Sequence, residues 1–265
     1  MKIFISSDIE GITGVTAWSE TEYGGEGYEA ACRRMTEETA AACRAALDMG
    51  CEVVVKDAHG SALNIDIDGL PQGTQLIRGW RCSVEGMMGG LDESFDGIVY
   101  IGYHAGAGTG GSPLAHTVER DFLSIKVDGR IASEFTLNSI YADSLGVPSL
   151  LISGDECTCT SAAEEYPGIM SVVTKTCTGN STYNRHPQDV REEIYTRVRE
   201  AIAGLPVKPV PRECKLLLEI NYAEASKARE ASAYPGAVLK STGCVEYQAA
   251  DIDDFMTAKK FLLEI

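Results

Sequence analysis

Acidic and histidine side chains directly follow the apolar segments of this sequence. The residues in these places are Asp8, Glu10, His59, His104, Asp155 and Glu156. Carboxylate oxygens and imidazole nitrogens together form a mixed ligand set that suits zinc, either as a single ion or as a pair. The sequence has only four histidines, and two of them occupy such positions. A shared metal site therefore explains the pattern better than chance does.

Asp8 and Glu10 are separated by one residue at the end of the first apolar segment. In extended backbone their side chains leave the same face, with Cα atoms roughly 6–7 Å apart. This separation allows both carboxylates to approach one cation or two adjacent cations. Gly11 follows them, and a glycine lets the chain turn without a side chain crowding the site.

A further candidate ligand, Glu134, lies in the segment GRIASEFTLNSIYADSLG (129–146). The apolar residues of this segment recur at helical spacing, while Glu134 and Asn138 fall one turn apart on another face. One interpretation is a solvent-facing pair on a surface helix. The other is that Glu134 joins the carboxylates and histidines at the metal site, which would then hold the donors of a paired zinc centre.

The elements that must position these residues are predicted as alternating strands and helices. Short apolar runs rich in β-branched residues span residues 2–6, 52–56, 97–103, 148–153 and 170–175. Such runs, separated by helical patterns, are typical of a parallel sheet covered on both faces. We therefore predict an α/β fold, a mostly parallel sheet sandwiched by helices. The ligand residues would lie at the carboxyl ends of the strands, where open sheets bind ligands.

The C-terminal part of the chain is predicted to be a separate unit. Helical patterns over residues 27–49 and after His186-Pro187 belong to the first part. The proline-rich segment LPVKPVPREC (205–214) then reads as a stiff connector. We therefore predict an α/β metal-binding catalytic domain over residues 1–204 and a small α+β domain over residues 212–265.

Composition limits the classes of partner. The chain has 265 residues and a formal net charge of -16, which argues against nucleic acid and anionic membranes. No leader-like segment opens the sequence and no long apolar run occurs, so we expect a cytoplasmic protein. The nine cysteines include no CxxC pair, and we expect ordinary reduced thiols.

Taken in order, several motifs carry a resemblance. The segments SSDIEGITGV, KDAHGSALNI, GYHAGAG, LAHT, SEFTLN and GVPSLLISGDE resemble the D-aminopeptidase family of the bacterial dipeptide-transport operon, the DppA type. The resemblance covers most of the chain and is densest in residues 1–155. It implies a metallo-aminopeptidase with two zinc ions per chain. Such an enzyme releases N-terminal residues, among them D-amino acids such as D-alanine, from short peptides and amides by metal-activated water. It also implies a large ring-shaped homo-oligomer, in the family a decamer of stacked pentamers.

The resemblance further implies which residues hold the metal. Asp8 resembles the carboxylate that bridges both ions. Glu10 and His104 would complete one site, and His59 and Glu134 would complete the other.

The segment LAHT contributes His116, which resembles the catalytic histidine of the family. An imidazole there suits proton transfer or stabilisation of an oxyanion, and the sequence does not decide between these roles and that of a nucleophile. Ser133 departs from the glycine that commonly precedes the ligand glutamate, and we expect the ligand geometry to survive because serine is small. The glycine-rich segment 105–113 is either a loop that closes over substrate or a surface connection.

Two other functions remain open at this stage. A different metal-dependent amidohydrolase or a phosphoesterase would keep the metal site. A phosphate site normally includes cationic side chains, and near the motifs only Lys56 and Arg120 qualify. A non-catalytic dipeptide-binding protein is the third candidate, although a periplasmic binder should carry a signal peptide. The sequence does not decide between D- and L-residues, the exact peptide or the size of the ring.

Overall fold

A computed structural model describes residues 1–213 and 215–264, which form two β-sheets with flanking helices. In chain order the strands are β1 (Lys2–Ser7), β2 (Glu52–Asp57), β3 (Thr74–Ile77), β4 (Gly97–Tyr103), β5 (Phe122–Val127), β6 (Arg130–Ile131), β7 (Ser149–Asp155), β8 (Met170–Thr178), β9 (Ser181–Asn184), β10 (Leu217–Tyr222), β11 (Val238–Leu239) and β12 (Cys244–Gln248). The α-helices are α1 (Tyr28–Asp48), α2 (Glu134–Ser144), α3 (Glu156–Glu165), α4 (Pro187–Ala203), α5 (Ala225–Ala231) and α6 (Ile252–Leu263).

The larger sheet has the strand order β3-β2-β1-β4-β7-β8-β9. Strand β1 lies between β2 and β4 and runs parallel to both, while β9 runs antiparallel to β8. Each of the apolar runs identified in the sequence is a strand of this sheet. The prediction of an α/β fold with a mostly parallel sheet is confirmed.

Both faces of this sheet are buried. Two successive residues of β1, whose side chains point to opposite faces, show why. Ile5 packs in one core with Met35 of α1 and Ile194 of α4. Phe4 points the other way and packs in a second core with Phe135 of α2. Neither Ile5 nor Phe4 is exposed to solvent, and each such buried side chain contributes about 1.5–3 kcal/mol. Two apolar cores thus require a continuous apolar strand rather than an alternating one.

The smaller sheet is antiparallel, with the order β11-β12-β10-β5-β6. Ile220 of the central strand β10 stands opposite Ile125 of β5 and Val245 of β12, and all three are fully buried. Ala228 of α5 and Phe255 of α6 belong to the same core. The two short helices therefore cover one face of this sheet.

The smaller sheet joins strands from distant parts of the chain. In the chain, β5 and β6 come after β4 and before α2, whereas β10 follows the proline-rich connector. The division into domains at 1–204 and 212–265 stays a prediction, and strands from both ranges pair in this sheet. Residues 205–213 contain neither helix nor strand. Cys214, at the end of the predicted connector, and Ile265, the last residue of the predicted C-terminal domain, lie outside the described residues.

None of the helices in the described ranges is long and apolar enough to cross a membrane. The cysteines of these ranges form no disulfide.

Candidate metal centre

Side chains from three adjacent strands and one helix meet at one edge of the larger sheet. Asp8 and Glu10 follow β1, His59 follows β2 and His104 follows β4. Because β1 lies between β2 and β4 in parallel register, the carboxyl ends of these strands are neighbours. Glu134 enters the same cluster as the first residue of α2. The structure thus brings together the five residues that the sequence analysis nominated as metal ligands.

The loop that carries Asp8 and Glu10 lies against the backbone of β4. The N–H of Gly11 donates to the carbonyl of Gly102 at 2.7 Å. A Cβ on Gly11 would lie only 1.8 Å from the carbonyl oxygen of Tyr103, so any side chain would push the loop away. Glycine is needed here for close approach of two backbones rather than for an unusual φ.

A buried lysine holds the same loop from behind. The ammonium of Lys175, within β8, donates to the carbonyls of Glu10, Ile12 and Val15, the last at 2.5 Å. These carbonyls belong to an irregular segment that lacks strand partners. Three hydrogen bonds from one cation therefore fix the backbone that presents Glu10.

Three histidines each have one ring nitrogen against a backbone carbonyl. His59 Nε2 lies 2.7 Å from the carbonyl of Thr21, and His104 Nδ1 lies 3.0 Å from that of Ala105. In His116, Nδ1 lies 3.0 Å from the carbonyl of Leu114. A carbonyl accepts hydrogen bonds only, so each of these nitrogens carries the proton. The other nitrogen of each neutral ring then has a lone pair available for a cation.

The second nitrogens of His59 and His104 face carboxylates. His59 Nδ1 lies 3.1 Å from both Asp8 Oδ1 and Glu10 Oε2. His104 Nε2 lies 3.4 Å from Asp8 Oδ2 and 3.2 Å from Glu134 Oε2. A lone pair and a carboxylate oxygen repel at these distances unless a proton or a cation lies between them.

Burial makes this repulsion costly. Asp8, Glu10, His104 and Glu134 are each at most 4 % exposed. Burial alone would lower the pKa of His104, but Glu134 and Asp8 outweigh it and raise that pKa well above its ordinary value. Burial would likewise raise the pKa of Glu134, yet His104 lowers it to about 2. The cluster therefore needs positive charge, supplied either by protons on the histidines or by a bound cation.

Three buried atoms of the cluster have no hydrogen-bond partner among the described residues. They are Asp8 Oδ2, Glu10 Oε2 and His104 Nε2. These residues offer ligand atoms that all lie within 4.8 Å of one another. Buried polar atoms are almost always satisfied, and three convergent donors of the oxygen and nitrogen types that zinc prefers fit a metal ion.

Glu134 is not part of a solvent-facing pair. Its exposure is 4 % and that of Asn138 is 2 %, so this alternative interpretation is wrong. Ser133, at the position where the family commonly has glycine, is the N-cap of α2, because its hydroxyl accepts from the N–H of Thr136. One carboxylate oxygen of Glu134 accepts from the N–H of Val118 at 2.8 Å, which orients the other toward His104.

His116 lies beside the cluster and is partly exposed. Its ring stacks on that of His104, with centroids 4.2 Å apart and planes 4° from parallel, and Trp18 packs against it in a T-shaped contact. Its Nε2 lies 3.8 Å from Glu134 Oε1. With Nδ1 held by Leu114, Nε2 is left to bind a cation together with His104 and Glu134 or to exchange a proton with a bound molecule.

Asp155 and Glu156 do not join the cluster. The carboxylate of Asp155 caps α3 through the N–H of Thr158 and accepts from Ala105 N and Ser112 Oγ at 3.1 and 2.9 Å. It therefore ties the glycine-rich segment 105–113 to the sheet edge. Glu156 is exposed.

The cluster forms the floor of a cavity of about 750 Å³, a volume suited to a small peptide. Aromatic residues line part of its wall, among them Trp18, Tyr28 and Trp80. No sequence pattern predicted a role for Trp18, Thr21 or Lys175. Lys175 ends the apolar run 170–175, and this position could have identified it, because a charged side chain there is buried and needs partners.

Comparison with known proteins agrees with this geometry. Residues 1–261 match the sequence profile of the D-aminopeptidase family. The D-aminopeptidase of Bacillus subtilis (strain 168) is 29 % identical over 269 aligned residues, which cover 100 % of this chain and 97 % of the relative. The solved structure of the Zn-dependent D-aminopeptidase DppA from Bacillus subtilis, a self-compartmentalizing protease, is similar with a TM-score of 0.93. It is 28 % identical to this chain, and the match covers 100 % of this chain and 97 % of that structure.

Proposed function

The chain belongs to the D-aminopeptidase family, and we propose that it is a zinc-dependent aminopeptidase that releases N-terminal residues, such as D-alanine, from short peptides and amides. The observation that carries this proposal is the convergence of Asp8 Oδ2, Glu10 Oε2 and His104 Nε2, buried and without hydrogen-bond partners among the described residues. Membership of a peptidase family indicates that these ligand atoms serve a hydrolytic reaction.

The proposal assigns two zinc ions to each chain. Asp8 would be shared, Glu10 and His104 would complete one site, and His59 and Glu134 would complete the other. The proximity of the ligand atoms of Asp8, Glu10 and His104 supports the first set. For the second, the support is that His59 Nδ1 and a Glu134 oxygen both face the cluster. When bound, zinc would polarise the scissile carbonyl and lower the pKa of the attacking water.

His116 is the proposed catalytic residue. Its Nδ1–H is held by the carbonyl of Leu114, so the ring is oriented and Nε2 faces the cluster. From there Nε2 can take a proton from the attacking water, and the ring so protonated can hand it to the leaving amine or donate a hydrogen bond to the developing oxyanion. Trp18 also packs against this ring in a T-shaped contact, which supports the orientation set by Leu114.

Substrate size and location form a further part of the proposal. One relative is a self-compartmentalizing protease, and we propose that this chain also forms a large ring-shaped homo-oligomer, a decamer of stacked pentamers. Active sites inside such a ring would admit short peptides and exclude folded proteins. The net charge of -16 would attract the protonated amino terminus of a peptide. We place the protein in the cytoplasm.

The two cationic side chains near the motifs that could have served a phosphoesterase have other partners. Lys56 donates to the carbonyls of Asp57 and Gly79, and Arg120 pairs with Glu22 at 2.8 Å. Neither side chain is available for a phosphate on the metal cluster. Membership of the D-aminopeptidase family favours amide hydrolysis over hydrolysis of phosphate esters.

The test measures zinc and activity together. Purified protein is assayed for bound zinc and for hydrolysis of paired D- and L-aminoacyl amides and dipeptides, before and after chelation and with zinc restored. We expect about two zinc equivalents, activity on free amino termini and poor hydrolysis of N-acetylated peptides. Zinc-loaded protein that cleaves none of these amides would refute the proposal.

A further inference from the structure

The wall of the cavity above the cluster of candidate metal ligands contains a buried cationic side chain, Lys259. Lys259 of α6 is only 6 % exposed and lines the same cavity as Glu10 and His116. Gly86, in a short turn of the opposite segment, also lines it, and a Cβ on that glycine would lie 3.6 Å from Lys259 Nζ. The absence of a side chain at Gly86 therefore leaves open space beside the ammonium.

Lys259 differs from its charged neighbours in having no partner. Within residues 1–213 and 215–264 its ammonium forms neither a hydrogen bond nor an ion pair, whereas Lys260 of the same helix pairs with Glu264. Arg120, also on the cavity wall, is paired with Glu22. An ammonium with so little exposure to solvent gains from a partner of opposite charge. Such a group is a site for an anion.

The charge of Lys259 persists at neutral pH. Burial lowers the pKa of this side chain to about 8, although Glu264 and Glu134 favour its charged form. Most molecules therefore carry an ammonium here at pH 7. Arg81, another cation of the cavity wall, is exposed to solvent, where screening weakens its attraction for an anion.

We infer that Lys259 binds the free carboxylate of a dipeptide substrate and makes the enzyme prefer dipeptides to amides and to longer peptides. The inference rests on the proposed function, because an aminopeptidase holds the N-terminal residue at the metal cluster. The remainder of the substrate then extends into the cavity. In a dipeptide the carboxylate lies one residue beyond the scissile bond. The acidic cluster repels it, and a charge-assisted hydrogen bond from Lys259 attracts it.

Kinetics of two substrates test the inference. Parent and Lys259→Met are compared on D-alanyl-D-alanine and on D-alanine amide, which lacks the carboxylate. We expect kcat/KM for the dipeptide to fall roughly 10- to 100-fold, the size of one charged hydrogen bond, with little change for the amide. Lys259→Arg should restore most of the dipeptide activity. Lys240→Met, which removes a partly exposed cation paired with Glu246, is the control and should change neither. An equal loss on both substrates, or no loss on the dipeptide, would overturn the inference.

A binding measurement separates this inference from the proposed function. The probe is a reduced-amide analogue of the dipeptide, with CH2 in place of the scissile carbonyl, prepared with a free carboxylate or a terminal carboxamide. Calorimetry should show that the parent prefers the carboxylate form and that Lys259→Met loses the preference. Lys259→Met should also unfold at the same or a higher temperature, because it removes an unpaired buried charge. Parent that hydrolyses neither substrate refutes the proposed function alone, whereas equal affinity for both analogues refutes the role of Lys259.

Discussion

Buried charged side chains behind the cluster of candidate metal ligands differ from those within the cluster in their hydrogen-bond partners. Behind the cluster, Lys175 donates to three carbonyls, and Asp57 accepts from the side chain and the N–H of Asn64. Within the cluster, Asp8, Glu10 and His104 each keep one atom without a hydrogen-bond partner among the described residues. A buried charge that is fully paired holds backbone in place, whereas one that is left unpaired is available to a ligand.

The largest effect is expected from Asp8→Asn. This change removes the carboxylate that both proposed zinc sites share, so the protein should lose both ions and lower its activity roughly 1,000-fold or more. Zinc is measured by atomic absorption on the purified variant. Asp189→Asn, on the exposed first turn of α4, is the control and should keep both zinc and activity. Full zinc content in Asp8→Asn would contradict the shared site.

His116→Ala should separate catalysis from metal binding. The variant keeps the five proposed ligands and should therefore keep its zinc, yet hydrolyse peptides at least ~100-fold more slowly. Zinc content and kcat are measured on the same preparation. Activity within a few-fold of the parent would show that His116 is a structural loop residue, and loss of zinc would assign it to the ligands instead.

Lys175→Met tests the paired side of the comparison. The carbonyls of Glu10, Ile12 and Val15 would lose their donor, and the loop that presents Glu10 would loosen. We expect zinc affinity to fall roughly 10- to 100-fold, as for other residues that orient metal ligands, and the free energy of unfolding to decrease. Competition with a chelator measures the first and urea denaturation the second. Lys126→Met, which removes a partly exposed ion pair with Glu219, should change neither. An unchanged zinc affinity in Lys175→Met would limit this lysine to the fold.

Glu38 is the exception behind the cluster, and the smallest effect is expected there. One oxygen accepts from the N–H of Thr13, and the other has no partner among the described residues. Burial raises the pKa of this carboxyl to about 7, above its ordinary value in the unfolded chain. The protonated form is therefore favoured on folding. Its contribution is complete below the unfolded pKa near 4.5 and is lost as the pH rises through about 7.

Glu38→Gln should therefore act differently at two pH values. At pH 5 the free energy of unfolding should change little, and at pH 8 it should rise by about 1–3 kcal/mol, because the variant no longer loses a buried proton. Urea denaturation of the metal-free protein at both pH values measures this. The exposed change Glu230→Gln is the control. An equal effect at pH 5 and pH 8 would contradict the raised pKa.

The sequence supports prediction of the sheet edge better than prediction of the cavity wall. Asp8, Glu10, His59 and His104 each follow an apolar run, and the ends of adjacent parallel strands meet wherever such runs form one sheet. Lys259 carries no such signal. It reads as one more polar residue on an amphipathic helix, and its burial depends on how α6 packs across the cavity.

The smaller sheet shows a second limit. Periodicity identifies a strand from its own residues, but the pairing of β5 with β10 joins residues about a hundred positions apart, as in Ile125 and Ile220. Such contacts depend on the whole fold, so the sequence analysis assigned only the C-terminal strands to a separate unit. The burial of Glu134 could not be predicted either, because a carboxylate at helical spacing gives the same sequence pattern on a surface as at a metal centre.

The pairing of β5 with β10 also has a consequence for the order in which the protein matures during synthesis. All five proposed ligands precede residue 135, whereas β10, β12 and α6 are translated later and complete the sheet and the wall across the cavity. On the ribosome, the ligand residues emerge while that wall does not yet exist. Until β10 arrives, β5 presents an unpaired edge. The nascent chain thus passes through a stage in which its metal ligands are open to solvent, and the substrate chamber closes only after translation of α6.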